Sequence, residues 1–139
     1  MAKKLFEILD DKACIIFDAT YILTQKSKDY SGQKQLWSDQ KKMPLVKPMI
    51  GCTDDGYIAF ASGPFDATHN DASILEYCFT EYYDKLNVIH SGDTILVDRG
   101  FRDVQNFLKC EGLFVYSPGT GNLETKEEND SRFVTKCRM

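Results

Sequence analysis

The run Ala13-Cys14-Ile15-Ile16-Phe17-Asp18-Ala19-Thr20-Tyr21-Ile22 constrains the fold more than any other segment of the chain. It is apolar throughout except for Asp18, and β-branched or aromatic where packing matters. Such a run reads as a buried central strand, and a buried strand requires a sheet with further layers around it. With 139 residues the chain suits one domain that buries roughly two-thirds of its unfolded surface.

The segments that follow supply the rest of the sheet. Thr24 to Met43 is a polar, lysine-rich connection with Ser31-Gly32 as turn punctuation. Pro44 to Cys52 and Tyr57 to Ser62 read as two short strands, and Thr53-Asp54-Asp55-Gly56 between them makes a hairpin turn. Gly63-Pro64 is expected to end the second strand. The period then changes from two to helical. Ile74, Leu75, Cys78, Phe79 and Tyr82 fall on one helical face, with N-cap candidates in His69-Asn70-Asp71. After the Gly92-Asp93 break, Thr94 to Asp98 is another buried strand ending in an acid. Val104, Phe107 and Leu108 mark a short amphipathic helix closed by Gly112, and Leu113 to Tyr116 is a last short strand. Three leading strands followed by strand–helix alternation predict an α/β fold, a mixed five-stranded sheet flanked by helices. That order is the one an RNase H-like domain shows.

Composition excludes several classes. No apolar run approaches the roughly 18 residues of a membrane span, and Asp10-Asp11 interrupts the N-terminus before any signal-peptide core could form. Seventeen aromatic residues are too many for a disordered acidic tail. The expectation is a soluble domain with no membrane partner. The net charge of −4 is not that of an autonomous nucleic-acid binder. The charge is uneven, however: residues 25 to 47 carry six lysines against Asp29 and Asp39, while acids dominate from Asp54 to Asp98. The five cysteines, Cys14, Cys52, Cys78, Cys110 and Cys137, lie 38, 26, 32 and 27 positions apart. No Cys-x-x-Cys occurs, which argues for reduced structural thiols in an intracellular setting rather than a zinc site or a disulfide framework.

Two acids are placed for chemistry. Asp18 interrupts an apolar strand and Asp98 ends one, positions where an ionised carboxylate is costly unless paired, hydrogen-bonded or bound to a metal. In the expected sheet the first and fourth strands are neighbours, which brings the two together across 80 positions. Such a pair suits Mg²⁺, which commonly uses one or two carboxylates and takes further ligands from water and phosphate. The competing role for Asp98 is a turn, a cap, or a pairing with Arg99. Asp71 is a supporting acid or, more simply, a helix cap. His69 and His90 have no cysteine nearby, and Gly119-Thr120-Gly121 lacks the rest of a nucleotide-binding loop. Trp37, set among lysines, is a candidate for stacking on a base as well as for ordinary packing.

Read together, these strings resemble a known family. Phe17-Asp18-Ala19-Thr20, Gln25-Lys26-Ser27, Leu36-Trp37-Ser38 with Lys41-Lys42, Val46-Lys47-Pro48 and Asp55-Gly56-Tyr57-Ile58 are similar to the catalytic domain of DDE-type transposases. So are Gly63-Pro64-Phe65 with Asn70-Asp71-Ala72, Leu96 to Asp103, and Val134-Thr135-Lys136-Cys137-Arg138. The nearest resemblance is to the Harbinger/IS5-like group, the DDE superfamily endonucleases, over about residue 13 to the C-terminus, with residues 1–12 as a lead-in.

The resemblance implies an RNase H-like domain that uses two aspartates and a glutamate to hold Mg²⁺ or Mn²⁺ for DNA strand cleavage and transfer, in the nucleus. By position Asp18 matches the first acid and Asp98 the second, as catalytic and metal-holding residues. Lys41, Lys42, Lys47 and Trp37 become DNA-contact candidates. The third acid belongs on a helix just after the Val-Thr-Lys-x-Arg segment, beyond Met139, and Glu124, Glu127 and Glu128 do not match its position. The expectation is therefore a partial domain over 13–139 with its last helix missing and one sheet face left apolar and open. DNA is the implied partner, with a homo-oligomer or a companion protein to cover that face. The alternative is a non-catalytic transposase remnant that binds protein or DNA.

Overall fold

The computed structural model describes residues 12–82, 86 and 89–118. Its elements are β1 (Cys14–Ala19), β2 (Ile22–Leu23), α1 (Tyr30–Leu36), β3 (Trp37–Ser38), β4 (Met43–Thr53), β5 (Ile58–Asp66), α2 (Asp71–Glu81), β6 (Thr94–Leu96), a 3₁₀ helix (Arg99–Val104), α3 (Gln105–Cys110) and β7 (Phe114–Tyr116). Among the described residues the fold is mixed α/β, a seven-strand mixed sheet with three α-helices. The five expected strands form its body, in the order β5-β4-β1-β6-β7. β4 runs antiparallel to both β1 and β5, while β6 and β7 run parallel to β1.

The two additional strands arise from the length of β4. Its eleven residues overrun the six of β1, and backbone groups left without a partner must find one. Leu45 and Val46 pair with β2, and Met43 and Pro44 with β3. The polar connection from Thr24 to Met43 therefore contains α1 and β3, while β2 begins at Ile22, the last residue of the run read as the first strand. Asp29 caps α1 by accepting from the Gly32 N–H at 2.8 Å. Ser31-Gly32, read as a turn, lies inside the first turn of that helix instead. No residue of α1 is buried, so no apolar period announced it.

β5 also differs from expectation. It passes through Gly63-Pro64 and continues to Asp66. The register moves from Met49↔Ser62 to Lys47↔Phe65, so Pro48 and the Gly63-Pro64 pair fall together in a bulge. Three residues of special backbone chemistry are thereby taken up where no regular ladder bond is required. Gly63 has φ of +112°, open to glycine at little cost.

The core lies on one face of the sheet. Ile15, Phe17 and Ala19 of β1 point there and are buried with Ile74, Leu75 and Cys78 of α2, Phe101 and Val104 of the 3₁₀ helix, Leu108 of α3, and Ile95. Phe17 packs on Phe60 and Phe79 with ring centroids 6.0 and 5.9 Å away. Its ring lies over Gly51, its register partner on β4, where a Cβ would come within 2.8 Å of a Phe17 ring carbon. Glycine is required there by space. β1 is thus two-faced among the described residues, rather than buried on both sides: Ile16 is 40% exposed and Asp18 is exposed on the other face. Phe114, 58% exposed, lies on that face too, opposite the buried Val115. No helix among the described residues is long and apolar enough to cross a membrane. Cys14, Cys52, Cys78 and Cys110 form no disulfide among the described residues, and Cys137 lies outside the described residues.

Candidate active site

β1 and β6 are parallel neighbours, with Ile16 opposite Leu96. Two residues further along each chain stand Asp18 and Asp98. The two acids therefore occupy equivalent places at the C-terminal ends of adjacent strands, and they line one cleft of about 270 Å³ with Ile16 and Leu96. Asp18 Oδ1 accepts from the Ala19 N–H at 2.9 Å. Asp98 is the N-cap of the 3₁₀ helix, its Oδ1 accepting from the Gly100 N–H at 2.8 Å. The capping role weighed for Asp98 is real and coexists with its place in the cleft. No ion pair joins it to Arg99 among the described residues.

Electrostatics ties the acids together. Burial pushes the Asp18 carboxyl above its usual range, the nearby Asp98 charge raises it further, the Ala19 N–H opposes this, and Asp71 adds a smaller upward push. The Tyr21 hydroxyl is raised by burial and then by Asp71, Asp18 and Asp98. Tyr21 thus senses all three carboxylates. Asp71 is not the helix cap: Asn70 is, accepting from the Ser73 N–H at 2.7 Å. Relieved of that task, Asp71 turns to Lys47, with Oδ1 3.3 Å from the ammonium. A Cβ added to Gly100 would lie 3.1 Å from Asp98 Oδ1 and 3.9 Å from Asp71 Oδ2, so both carboxylates approach the same bare stretch of backbone.

Lys47 is only 8% exposed. It comes from the core-lining period of β4 and donates to the His69 carbonyl at 2.9 Å as well as to Asp71. Its charge is thus turned toward the acids, not offered freely to solvent as Lys41 and Lys42 are. The Lys41 and Lys47 ammonium groups stand over the Tyr21 ring at 5.3 and 5.8 Å. Trp37 is half-buried in a separate cavity that Lys47 also lines. Sequence reasoning missed Tyr21 and Asp93. Asp93, 3% exposed, accepts from the Ala13 and His90 N–H groups at 3.0 and 2.8 Å and joins the start of β1 to that of β6. Nothing in a single sequence separates Tyr21 from the other tyrosines, and Asp93 beside Gly92 read as a simple turn.

The family model for DDE superfamily endonucleases matches residues 17–139. The chain belongs to that family. No curated protein and no solved structure gives a match. DDE endonucleases are transposase-type nucleases, which act on DNA and generally use divalent metal ions.

The donors in this DDE endonuclease domain can be tested against such an ion. Among the described residues no group of three His, Cys, Asp or Glu side chains is close enough to hold one. Asp18 and Asp98 nevertheless supply hard carboxylate oxygens, the class Mg²⁺ and Mn²⁺ prefer, and Mg²⁺ is commonly held by one or two protein carboxylates with phosphate completing its shell. The Asp18 carboxyl is raised first by burial and then by the Asp98 charge, and a cation between the two acids would offset both effects. The pair therefore fits the ion. Glu124, Glu127 and Glu128 lie outside the described residues.

Proposed function

We propose that this chain carries the active site of a divalent-metal-dependent DNA endonuclease of RNase H-like design and Harbinger/IS5-like ancestry, acting by phosphodiester hydrolysis or strand transfer. The observation that carries the reading is the pairing of Asp18 and Asp98 at the ends of adjacent parallel strands, in one cleft, with mutually unfavourable charge. The strand order β5-β4-β1-β6-β7, with β4 antiparallel to the rest of its neighbours, supports the RNase H-like part.

Asp18 and Asp98 are the residues that would hold Mg²⁺ or Mn²⁺, and the ion, when bound, supplies Lewis-acid polarisation of a phosphodiester and neutralises charge on its leaving oxygen. The chain's own groups prepare that site. The Ala19 and Gly100 N–H groups fix one oxygen of each carboxylate, which limits the rotation available to a ligand before DNA arrives. Lys47 balances Asp71 and keeps a third negative charge from adding fully to the other two. Lys41 and Lys42 are exposed and would contact backbone phosphate. The family resemblance implies work in the nucleus, with a second copy or a companion protein as a further partner.

Calorimetric titration of the chain with Mn²⁺, beside Asp18→Asn and Asp98→Asn, tests the site. Saturable binding abolished in both variants is expected, together with metal-dependent nicking of supercoiled plasmid. Among the described residues the acids form no group of three, which favours a second reading, a non-catalytic transposase remnant that binds DNA or protein. Absence of Mn²⁺ binding above the variants would establish that reading and remove the first.

A further inference from the structure

A second cavity lies apart from the acid cleft and shares Lys47 with the surroundings of the acids. It measures about 650 Å³ and lies between α1–β3 and the turn that leads into α2, lined by Tyr30, Lys34, Trp37, Gln40, Lys47 and His69 among others. Its volume falls within the range of roughly 300–1,000 Å³ typical of ligand sites. Its two sides are joined by the Ala67 N–H, which donates to the Gln35 carbonyl at 3.0 Å.

We propose that this cavity binds one unpaired nucleotide of the DNA strand that crosses the acid cleft, its base stacked on Trp37 and its phosphate held by Lys34. The proposal rests on the DNA-endonuclease reading and adds the form in which the DNA is held. Trp37 is half-buried, which gives an indole a fixed attitude, and an aromatic face beside lysines is the usual platform for single-stranded nucleic acid. Gln40 is exposed at the rim and offers both donor and acceptor to a base edge. The segment carrying Trp37 holds the chain's lysine surplus, Lys26, Lys28, Lys34, Lys41 and Lys42 against Asp29 and Asp39, which selects a polyanion over a peptide. A paired base offers its faces to its stacked neighbours, so a base must leave the duplex to reach Trp37. Lys47 connects the two sites, lining the cavity while its ammonium lies 3.3 Å from Asp71. A nucleotide seated there is thus one side chain away from the carboxylates.

Trp37 is the only tryptophan of the chain, so its fluorescence reports on this cavity alone. The whole chain, in EDTA to prevent cleavage, is titrated with a short single strand, with a duplex bearing a single-stranded overhang, and with the same duplex blunt-ended. Saturable quenching by the first two and little by the third is expected. Anisotropy of a labelled single strand should show Trp37→Ala weakening binding at least about fivefold, the low end for one stacked base, with Trp37→Phe restoring most of it. Trp37 of β3 also pairs with Pro44 of β4, so Lys34→Glu at an exposed position is measured as well and should weaken binding comparably. Equal quenching by the blunt duplex, or unchanged affinity in both Trp37→Ala and Lys34→Glu, would overturn the proposal. Asp18→Asn and Asp98→Asn separate it from the active-site reading. They should quench normally in EDTA while losing Mn²⁺ binding, so loss of one readout with the other intact shows which statement has failed.

Discussion

Replacing Lys47 with methionine keeps the length of the side chain and removes its charge from the neighbourhood of the acids. In the folded protein the ammonium is 3.3 Å from Asp71 Oδ1, with side-chain exposures of 10% and 18%. At an effective dielectric of about 20 the attraction at that distance is about 5 kcal/mol before desolvation is subtracted. Removing one partner of a fully buried pair costs about 3–5 kcal/mol. Here water retains some access to Asp71, and the bond to the His69 carbonyl is lost as well, which together place the expected loss near 2 kcal/mol. With a urea m-value of about 2 kcal/mol/M the midpoint should fall by about 1 M, read from Trp37 fluorescence. Asp71→Asn should cost less, about 1 kcal/mol, because the amide oxygen can still accept from Lys47. The double variant should be more stable than the sum of the two losses predicts, by about 1 kcal/mol. A Lys47→Met midpoint within about 0.25 M of the parent, or strictly additive losses, would refute the view that this ion pair anchors the third acid.

Three further outcomes are expected. The Asp18 carboxyl titrates above its unfolded value of 3.8, so its contribution favours folding fully below that pH and is lost as pH rises through the folded value; Asp18→Asn should accordingly be more stable than the parent at pH 7, by a few tenths of a kcal/mol for so solvated a group, with the gap closing toward pH 4 in paired urea titrations. Gly51→Ala should cost about 1–3 kcal/mol and alter the near-ultraviolet circular dichroism, since the new methyl group meets the Phe17 ring at 2.8 Å and the Ile15 Cγ2 at 3.3 Å; an unperturbed spectrum would count against that packing. Asp93→Ala strands the Ala13 and His90 N–H groups and should destabilise by about 3 kcal/mol, with hydrogen exchange at Ala13 accelerating first.

Much of the architecture could be read from the chain because the signals are local. The Thr53–Gly56 turn, the change from period two to helical period near Asp71, and the acid that closes the Thr94–Asp98 strand each depend on a few consecutive residues, whereas the run read as one strand to Ile22 stops at Ala19 and so brings Asp18 near a strand end. Local signals also set the limits of that reading. The choice of Asn70 over Asp71 as the cap of α2 depends on Lys47, 24 positions away. The helix α1 has no buried residue to impose a period, and its Asp29 cap is outvoted in sequence by Ser31-Gly32. The extension of β5 through Gly63-Pro64 depends on Pro48 lying opposite in the bulge.

The sequence by itself determined the order of the five main strands and of the two helices among them, the mixed α/β class and the family, because periodicity, turn chemistry and motif strings are written in neighbouring residues. Tertiary structure alone decided which face of β1 each side chain takes, since among the described residues β1 is covered on one side and a period of two then sends Phe17 into the core and Asp18 out of it. It also decided that Lys47 serves the acids from within the fold, because a lysine buried on β4 must find a carbonyl and a carboxylate to replace the water it has lost.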